Sequence, residues 1–281
     1  MRKLLRPCAF LLALVILLSL ASCGGGAGKD TVAVTILPLA GLVRAVAGED
    51  LEVLTLVPAG ASPETYAPTT RVMMGLSDAA VWFSVGVPTE DTSIRPSLPE
   101  GVREVALADR VADLYPDLTV AGGRDPHIWL SPRRARVMLG AIAEELSALY
   151  PDRAETYREN AAAYCARIDA ADAEIRTLIG ESGMTAFIVY HPAFAYLADE
   201  YGLTMHAIEQ EGREATAADL AAMVELARRE NIRAVFYQAE TDSRQAEAFA
   251  REIGGEAVML SPLAEDYVEN LLVMARAIAA Q

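Results

Sequence analysis

The sequence predicts an α/β fold of two lobes, each with a mainly parallel sheet flanked by helices, joined by one long backbone helix. Three observations carry this. Short apolar runs alternate with helical patterns both before residue 132 and after residue 185, a rhythm that favours parallel sheets covered on both faces. Between the two regions, Pro151 to about Glu181 contains no further proline and no glycine before Gly180. Along it Tyr157, Ala161, Tyr164, Ile168, Ala171, Ile175 and Leu178 recur at steps of four and three. That is one apolar stripe on a helix roughly 45 Å long at 1.5 Å per residue. Small and aromatic residues share the stripe, which suits a helix lying along a globular body better than a coiled-coil arm.

The elements follow in order. Thr31–Leu37 reads as a buried strand and Pro38–Ala47 as a helix closed by Gly48. Leu51–Val57 is the next strand, followed by a loop rich in Pro and Gly. Thr69–Leu76 is a short helix, Ala79–Ser84 a strand and Val102–Leu107 a further short strand. Pro132–Tyr150 is helical, and Pro151 suits the first position of the long helix. Alternation then resumes. Strands are expected at Thr185–Tyr190, Leu203–Glu209, Ala234–Tyr237 and Ala257–Leu260. Helices are expected at Ala193–Tyr201, Thr216–Glu230, Asp242–Ile253 and Asp266–Ala280. Rigid lobes hinged on a rod put a ligand site in the cleft between them.

The first residues read as an address. Arg2, Lys3 and Arg6 precede an apolar run from Pro7 to Leu20, which has the length of a signal-peptide core and is short for a membrane span. Leu20-Ala21-Ser22-Cys23 resembles the bacterial lipobox, whose cysteine is acylated and becomes the first mature residue. Gly24-Gly25-Gly26-Ala27-Gly28 after it suits a flexible tether. The expected organisation is a signal peptide at 1–22, a lipidated tether at 23–30, an N-terminal lobe at 31–150, a linking helix at 151–182 and a C-terminal lobe at 183–281. The mature chain is then exported and held by lipid on Cys23 to the cell membrane or outer membrane, facing the periplasm or the exterior. With Cys23 blocked, Cys165 is a lone thiol, expected as a small buried packing residue.

Composition narrows the function. A formal net charge of −15 over 281 residues opposes nucleic-acid binding, which relies on phosphate neutralisation. Three cysteines cannot build a disulfide framework. The sequence contains no HExxH and no GxSxG.

Three histidines occur. His127 lies in Asp125-Pro126-His127-Ile128-Trp129. His191 lies in Tyr190-His191-Pro192-Ala193-Phe194, at the carboxyl end of an expected strand, where open α/β sheets place ligand groups. His206 falls within a strand-like run and reads as structural. Two histidines at loop and strand-end positions in different lobes favour a metal site in the interlobe cleft. Glu64, in the loop Pro58-Ala59-Gly60-Ala61-Ser62-Pro63-Glu64-Thr65-Tyr66-Ala67-Pro68-Thr69, is a carboxylate held between prolines. It reads either as a ligand or as a solvated turn residue.

Taken together, the motifs resemble those of the substrate-binding lipoproteins of bacterial metal-uptake ABC transporters, the zinc and manganese family called cluster A-I. The resemblance rests on Gly60–Thr69, Asp125–Trp129, Tyr190–Leu203, Glu211-Gly212-Arg213-Glu214, Val235-Phe236-Tyr237-Gln238 and Leu260-Ser261-Pro262-Leu263, in that order along the mature chain. It implies one divalent ion per chain in the cleft, held by histidines and carboxylates. His127 and His191 match two ligand positions. Glu64 stands where the family usually has histidine, and Ser261 where it usually has aspartate. The family often carries Glu-x-Gln after the second-lobe strand, whereas this chain has Gln238-Ala239-Glu240. Glu240 is therefore the expected fourth ligand, the alternative being water. Asp125, Gln238 and Glu211 are expected behind the ligands or at the rim, and Glu209 as a rim charge.

A set of two imidazoles and two carboxylates takes zinc. Carboxylates shift preference towards manganese or ferrous iron, while raw affinity still follows the Irving–Williams order. The resemblance implies a monomeric binding protein, not an enzyme, that delivers zinc, or manganese as second choice, to an ABC permease. More distant alternatives are a surface adhesin and a metallohydrolase using a bound water.

Overall fold

The computed structural model describes residues 30–120, 122–209, 215–240 and 243–281. Two four-stranded sheets organise it. The first contains β1 (Asp30–Val34), β2 (Leu51–Thr55), β3 (Trp82–Ser84) and β4 (Glu104–Ala106), in the order β2-β1-β3-β4. The pairs β1–β3 and β3–β4 are parallel, with Ala33 opposite Trp82 and Phe83 opposite Val105. A small antiparallel ribbon of β5 (Thr119–Val120) and β6 (Gly123–Arg124) follows. The second sheet contains β7 (Ala186–Val189), β8 (Thr204–Ala207), β9 (Ala234–Gln238) and β10 (Glu256–Leu260). Its order is β10-β9-β7-β8 and its pairs are all parallel.

Both faces of each sheet are covered, and successive strand residues serve opposite faces. Val32, Val34 and Phe83 point into a central core, whereas Ala33 and Trp82 point outward to a smaller cluster with Leu56, Leu76 and Ile94. The second sheet repeats the pattern. Phe187, Val189 and Phe236 face the same central core, while Ile188 and Val235 face an outer cluster with Ala227 and Phe249. One apolar core therefore runs through both lobes.

The helices are α1 (Leu37–Ala47), α2 (Thr70–Ser77), α3 (Leu107–Ala112), α4 (Pro132–Leu149), α5 (Ala154–Ser182), α6 (Ala195–Tyr201), α7 (Ala217–Arg229), α8 (Ser243–Glu252) and α9 (Tyr267–Ala279). Their starts obey local chemistry. Ser131 caps α4 by accepting from the Arg134 amide, and Thr216 and Asp219 form a reciprocal capping box on α7. No helix among the described residues is long and apolar enough to cross a membrane.

The long helix α5 spans 29 residues and packs against α4, α9 and α1. Tyr157, Ala161, Ile168, Ala171 and Ile175 are buried as expected. The stripe departs from expectation at its end: Ile179 is buried and Leu178 only half-buried. The final step from Ile175 is four residues, which keeps the apolar edge on the core side as a 3.6-residue helix turns. Pro151 does not begin the helix. It opens a 3-10 turn, Pro151–Arg153, that redirects the chain between α4 and α5. The expected strand at 102–107 shortens to β4 and runs directly into α3. Short turns at Glu90–Ile94, Arg95–Ser97 and Ile128–Leu130 were invisible to periodicity, being too short to show one. Cys165 packs against the core but is half-buried, and burial raises its thiol pKa above the ordinary value.

Candidate metal centre

Three loops bring the site together. Glu64 lies beyond β2, in a turn closed by the Tyr66 amide on the Ser62 carbonyl (3.0 Å) and by the Glu64 amide on Ser62 Oγ (3.2 Å). The Thr89 amide donates to the Pro63 carbonyl at 3.0 Å and ties this turn to the loop after β3. That second loop is fixed from below by Glu90, which is fully buried. Its carboxylate accepts from Thr35 Oγ1 and from the amides of Val85 and Gly86. Burial pushes the Glu90 pKa up to about 7 against the opposing effect of those donors.

His127 precedes the turn Ile128–Leu130. His191 follows β7, at the carboxyl end of the second sheet. The point where strand order reverses lies between β7 and β9, so His191 and Glu240, which follows β9, flank a crevice of the kind that open α/β sheets use for ligands.

The Nε2 atoms of His127 and His191 lie 3.9 and 3.8 Å from the same carboxylate oxygen, Glu64 Oε1. The two rings stand edge-on, 5.6 Å between centroids. One ligand atom from each of the three residues falls within 4.8 Å of the others. Metal–ligand bonds of about 2.0–2.2 Å in a tetrahedral shell put donor atoms about 3.3–3.6 Å apart. Three groups so placed could hold one ion after a small contraction.

Each imidazole is oriented from behind. Asp125, 1% exposed, accepts from the His127 amide at 2.9 Å and lies 2.7 Å from His127 Nδ1. Glu209 Oε2 lies 3.0 Å from His191 Nδ1. A carboxylate at Nδ1 keeps the ring proton there and turns the Nε2 lone pair towards the cleft, the usual support for a metal-binding histidine. Burial lowers the His191 pKa, but the Glu209 hydrogen bond and the charges of Glu209, Glu64 and Asp125 outweigh it, so the net shift is upward from 6.5.

A cavity of about 560 Å³ surrounds the three groups, with Ser62, Thr65, Arg124, Gln238 and Glu240 in its wall. Gln238 is buried. Glu240 is half-buried and stands outside the converging trio. One of its carboxylate oxygens is buried without a hydrogen-bond partner, and burial raises its pKa. It also borders a second cavity of about 190 Å³ with Ser261. Glu211 and Cys23 lie outside the described residues. His206 stands apart, 3.4 Å from Glu230.

The role of Glu209 exceeds the expected one of a rim charge. The signal was in the strand register. Val189 lies opposite Ala207 in the parallel β7–β8 pair, so the residues two beyond each, His191 and Glu209, emerge side by side.

Comparisons with known proteins agree with this fold. A putative metal-binding protein of Chlamydia muridarum is 28% identical over 252 residues, covering 89% of this chain and 91% of that protein. The zinc-binding lipoprotein AdcA of Streptococcus pneumoniae is 28% identical over 283 residues, and the match covers 92% of this chain but only 56% of AdcA, about half its length. The crystal structure of ZnuA superposes with a TM-score of 0.84 at 30% identity, over 90% of this chain and 99% of that one. Residues 32–281 match the family described as zinc-uptake complex component A, periplasmic. From the first strand to the last residue, the chain belongs to the zinc-uptake component A (ZnuA) family.

Proposed function

We propose that this chain is the extracytoplasmic binding protein of a metal importer, capturing a divalent transition metal and handing it to an ABC permease. Zinc is the first choice of cargo and manganese the second. One observation carries the reading: two imidazole Nε2 atoms, each turned by a carboxylate on Nδ1, face one oxygen of Glu64 at 3.8–3.9 Å. The family membership and the zinc-binding relatives support it. In this reading Glu64, His127 and His191 hold the ion, and Glu240 supplies the fourth donor. Its orphaned buried oxygen in the cavity wall supports that assignment, because an unpaired buried carboxylate gains from a cation. Asp125 and Glu209 orient the rings, while Gln238 lines the approach. Lipid on Cys23, the first residue after the signal peptide, anchors the protein to a membrane beside the permease.

The test is a competition. The purified chain is stripped of metal and offered equal zinc and manganese, and bound metal is counted by mass spectrometry, with Glu240→Ala alongside. One zinc per chain, held about tenfold or more weakly by the variant, is expected. Manganese in place of zinc changes the cargo and keeps the site. An unchanged affinity in the variant removes Glu240 from the shell, and no stoichiometric metal overturns the reading.

A further inference from the structure

The two histidines arrive on different lobes, yet their rings sit 5.6 Å apart. Something must fix that distance. His127 is followed four residues later by Ser131, the N-cap of α4. His191 leads through Phe194 into α6, which carries Tyr196, Asp199 and Glu200. The start of α4 and the end of α6 are bonded to each other through one carboxylate.

Glu200 is buried, its side chain 3% exposed. Its Oε2 accepts from Ser131 Oγ at 2.6 Å and lies 3.0 Å from Arg133 Nε. Its Oε1 accepts from Arg176 Nη2 of α5 at 2.8 Å, and its backbone carbonyl accepts from Arg176 Nη1 at 3.2 Å. A single side chain thus joins the helix behind His127, the helix behind His191 and the long helix between the lobes. Two neighbours reinforce it. Arg134, 1% exposed, lies over the Tyr196 ring at 4.5 Å and donates to the Pro116 carbonyl. Tyr196 Oη accepts from the Leu118 amide at 3.0 Å, and the Leu118 carbonyl accepts from the Asp125 amide at 2.9 Å. The path from α6 therefore ends on the residue that orients His127.

We propose that Glu200 is a positioning residue for metal capture: its buried carboxylate, through its contacts with Ser131, Arg133 and Arg176, sets the separation of His127 and His191. The proposal rests on the metal-binding reading above. Charge-assisted hydrogen bonds to a buried carboxylate are short and directional. Glu200 is therefore suited to hold the two halves of the site near the spacing an ion requires before the ion arrives.

The test uses the purified full chain, with zinc affinity measured well below the unfolding temperature and the visible spectrum of the cobalt(II) form as a reporter of ligand geometry. Glu200→Gln keeps the shape of the side chain and removes its charge. It is expected to weaken zinc binding about tenfold, in line with residues that orient metal ligands, and to change the cobalt bands. Ser131→Ala, a milder change that decides the matter if Glu200→Gln does not fold, is expected to act in the same direction. Glu145→Gln is the control, since Glu145 is a buried carboxylate on α4 whose ion-pair partner is Arg103. It is expected to lower Tm while leaving zinc affinity and the cobalt spectrum as in the wild type. Zinc binding by Glu200→Gln within twofold of wild type, with an unchanged spectrum, overturns the proposal. Equal losses in Glu145→Gln also overturn it, because the effect would then be general destabilisation. A wild-type chain that binds neither zinc nor cobalt defeats the metal-binding reading itself.

Discussion

At the scale of single residues, the proposed metal site sets protons and metal in competition for the same nitrogen. The His191 pKa is raised above 6.5 by Glu209, Glu64 and Asp125 against the lowering effect of burial. In the metal-free protein, protonated His191 therefore favours the folded state. That contribution is fully present below pH 6.5 and is lost as pH rises through the higher folded value. Metal binding has the opposite sign, since only the neutral imidazole can bind the ion. Affinity should fall as pH drops through the folded pKa of His191. Glu209→Gln should move the onset of that fall to lower pH, because the carboxylate that holds the proton is gone. It should also weaken binding at pH 8 about tenfold, because the ring loses its orientation. Competition titrations against a chromophoric chelator from pH 8 to pH 5.5 would read both effects. A flat profile would take His191 out of the ligand set.

At the scale of elements, α5 is the rod on which the lobes are mounted. Ile168 sits near its middle, fully buried in the core that also holds Val34 of the first sheet and Phe236 of the second. Ile168→Ala removes apolar volume where neither lobe can collapse into it without moving the other. A loss of about 3 kcal/mol is expected, measured as a shift of the urea midpoint at unchanged slope. A change below about 1 kcal/mol would mean that the core is not continuous through the helix. The same element shows how far periodicity reaches. Steps of four and three follow the core-facing stripe from Tyr157 to Ile175; beyond it the 3.6-residue turn has drifted against that alternation, so Ile179 and not Leu178 is buried.

At the scale of the whole molecule, three features restrain the lobes: the shared core along α5, the Glu200 contacts, and the buried Trp129 indole donating to the Pro262 carbonyl at 2.9 Å from one lobe to the other. The site also needs only a slight contraction to hold an ion. Metal capture should therefore cause a small tilt or loop ordering and no wide hinge closure. Small-angle scattering of metal-free and metal-bound protein should give radii of gyration within about 1 Å of each other, the scale at which pre-organised backbones move. A difference of several ångströms would show that the lobes swing.

The sequence by itself determined the two-lobed α/β plan and the long helix, because hydrophobic period and helix punctuation are local properties of a chain, and its motifs singled out Glu64, His127 and His191, which the fold brings together. It also singled out Asp125, two residues from the histidine it orients. It could not show that Glu209 backs His191, that Glu200 binds three elements at once, or that Glu240 stands in the cavity wall outside the converging trio. Those facts depend on strand register and on packing between segments far apart in the chain. A carboxylate carries no local signal of its partner, and only the folded arrangement decides whether it meets an imidazole, an arginine or water.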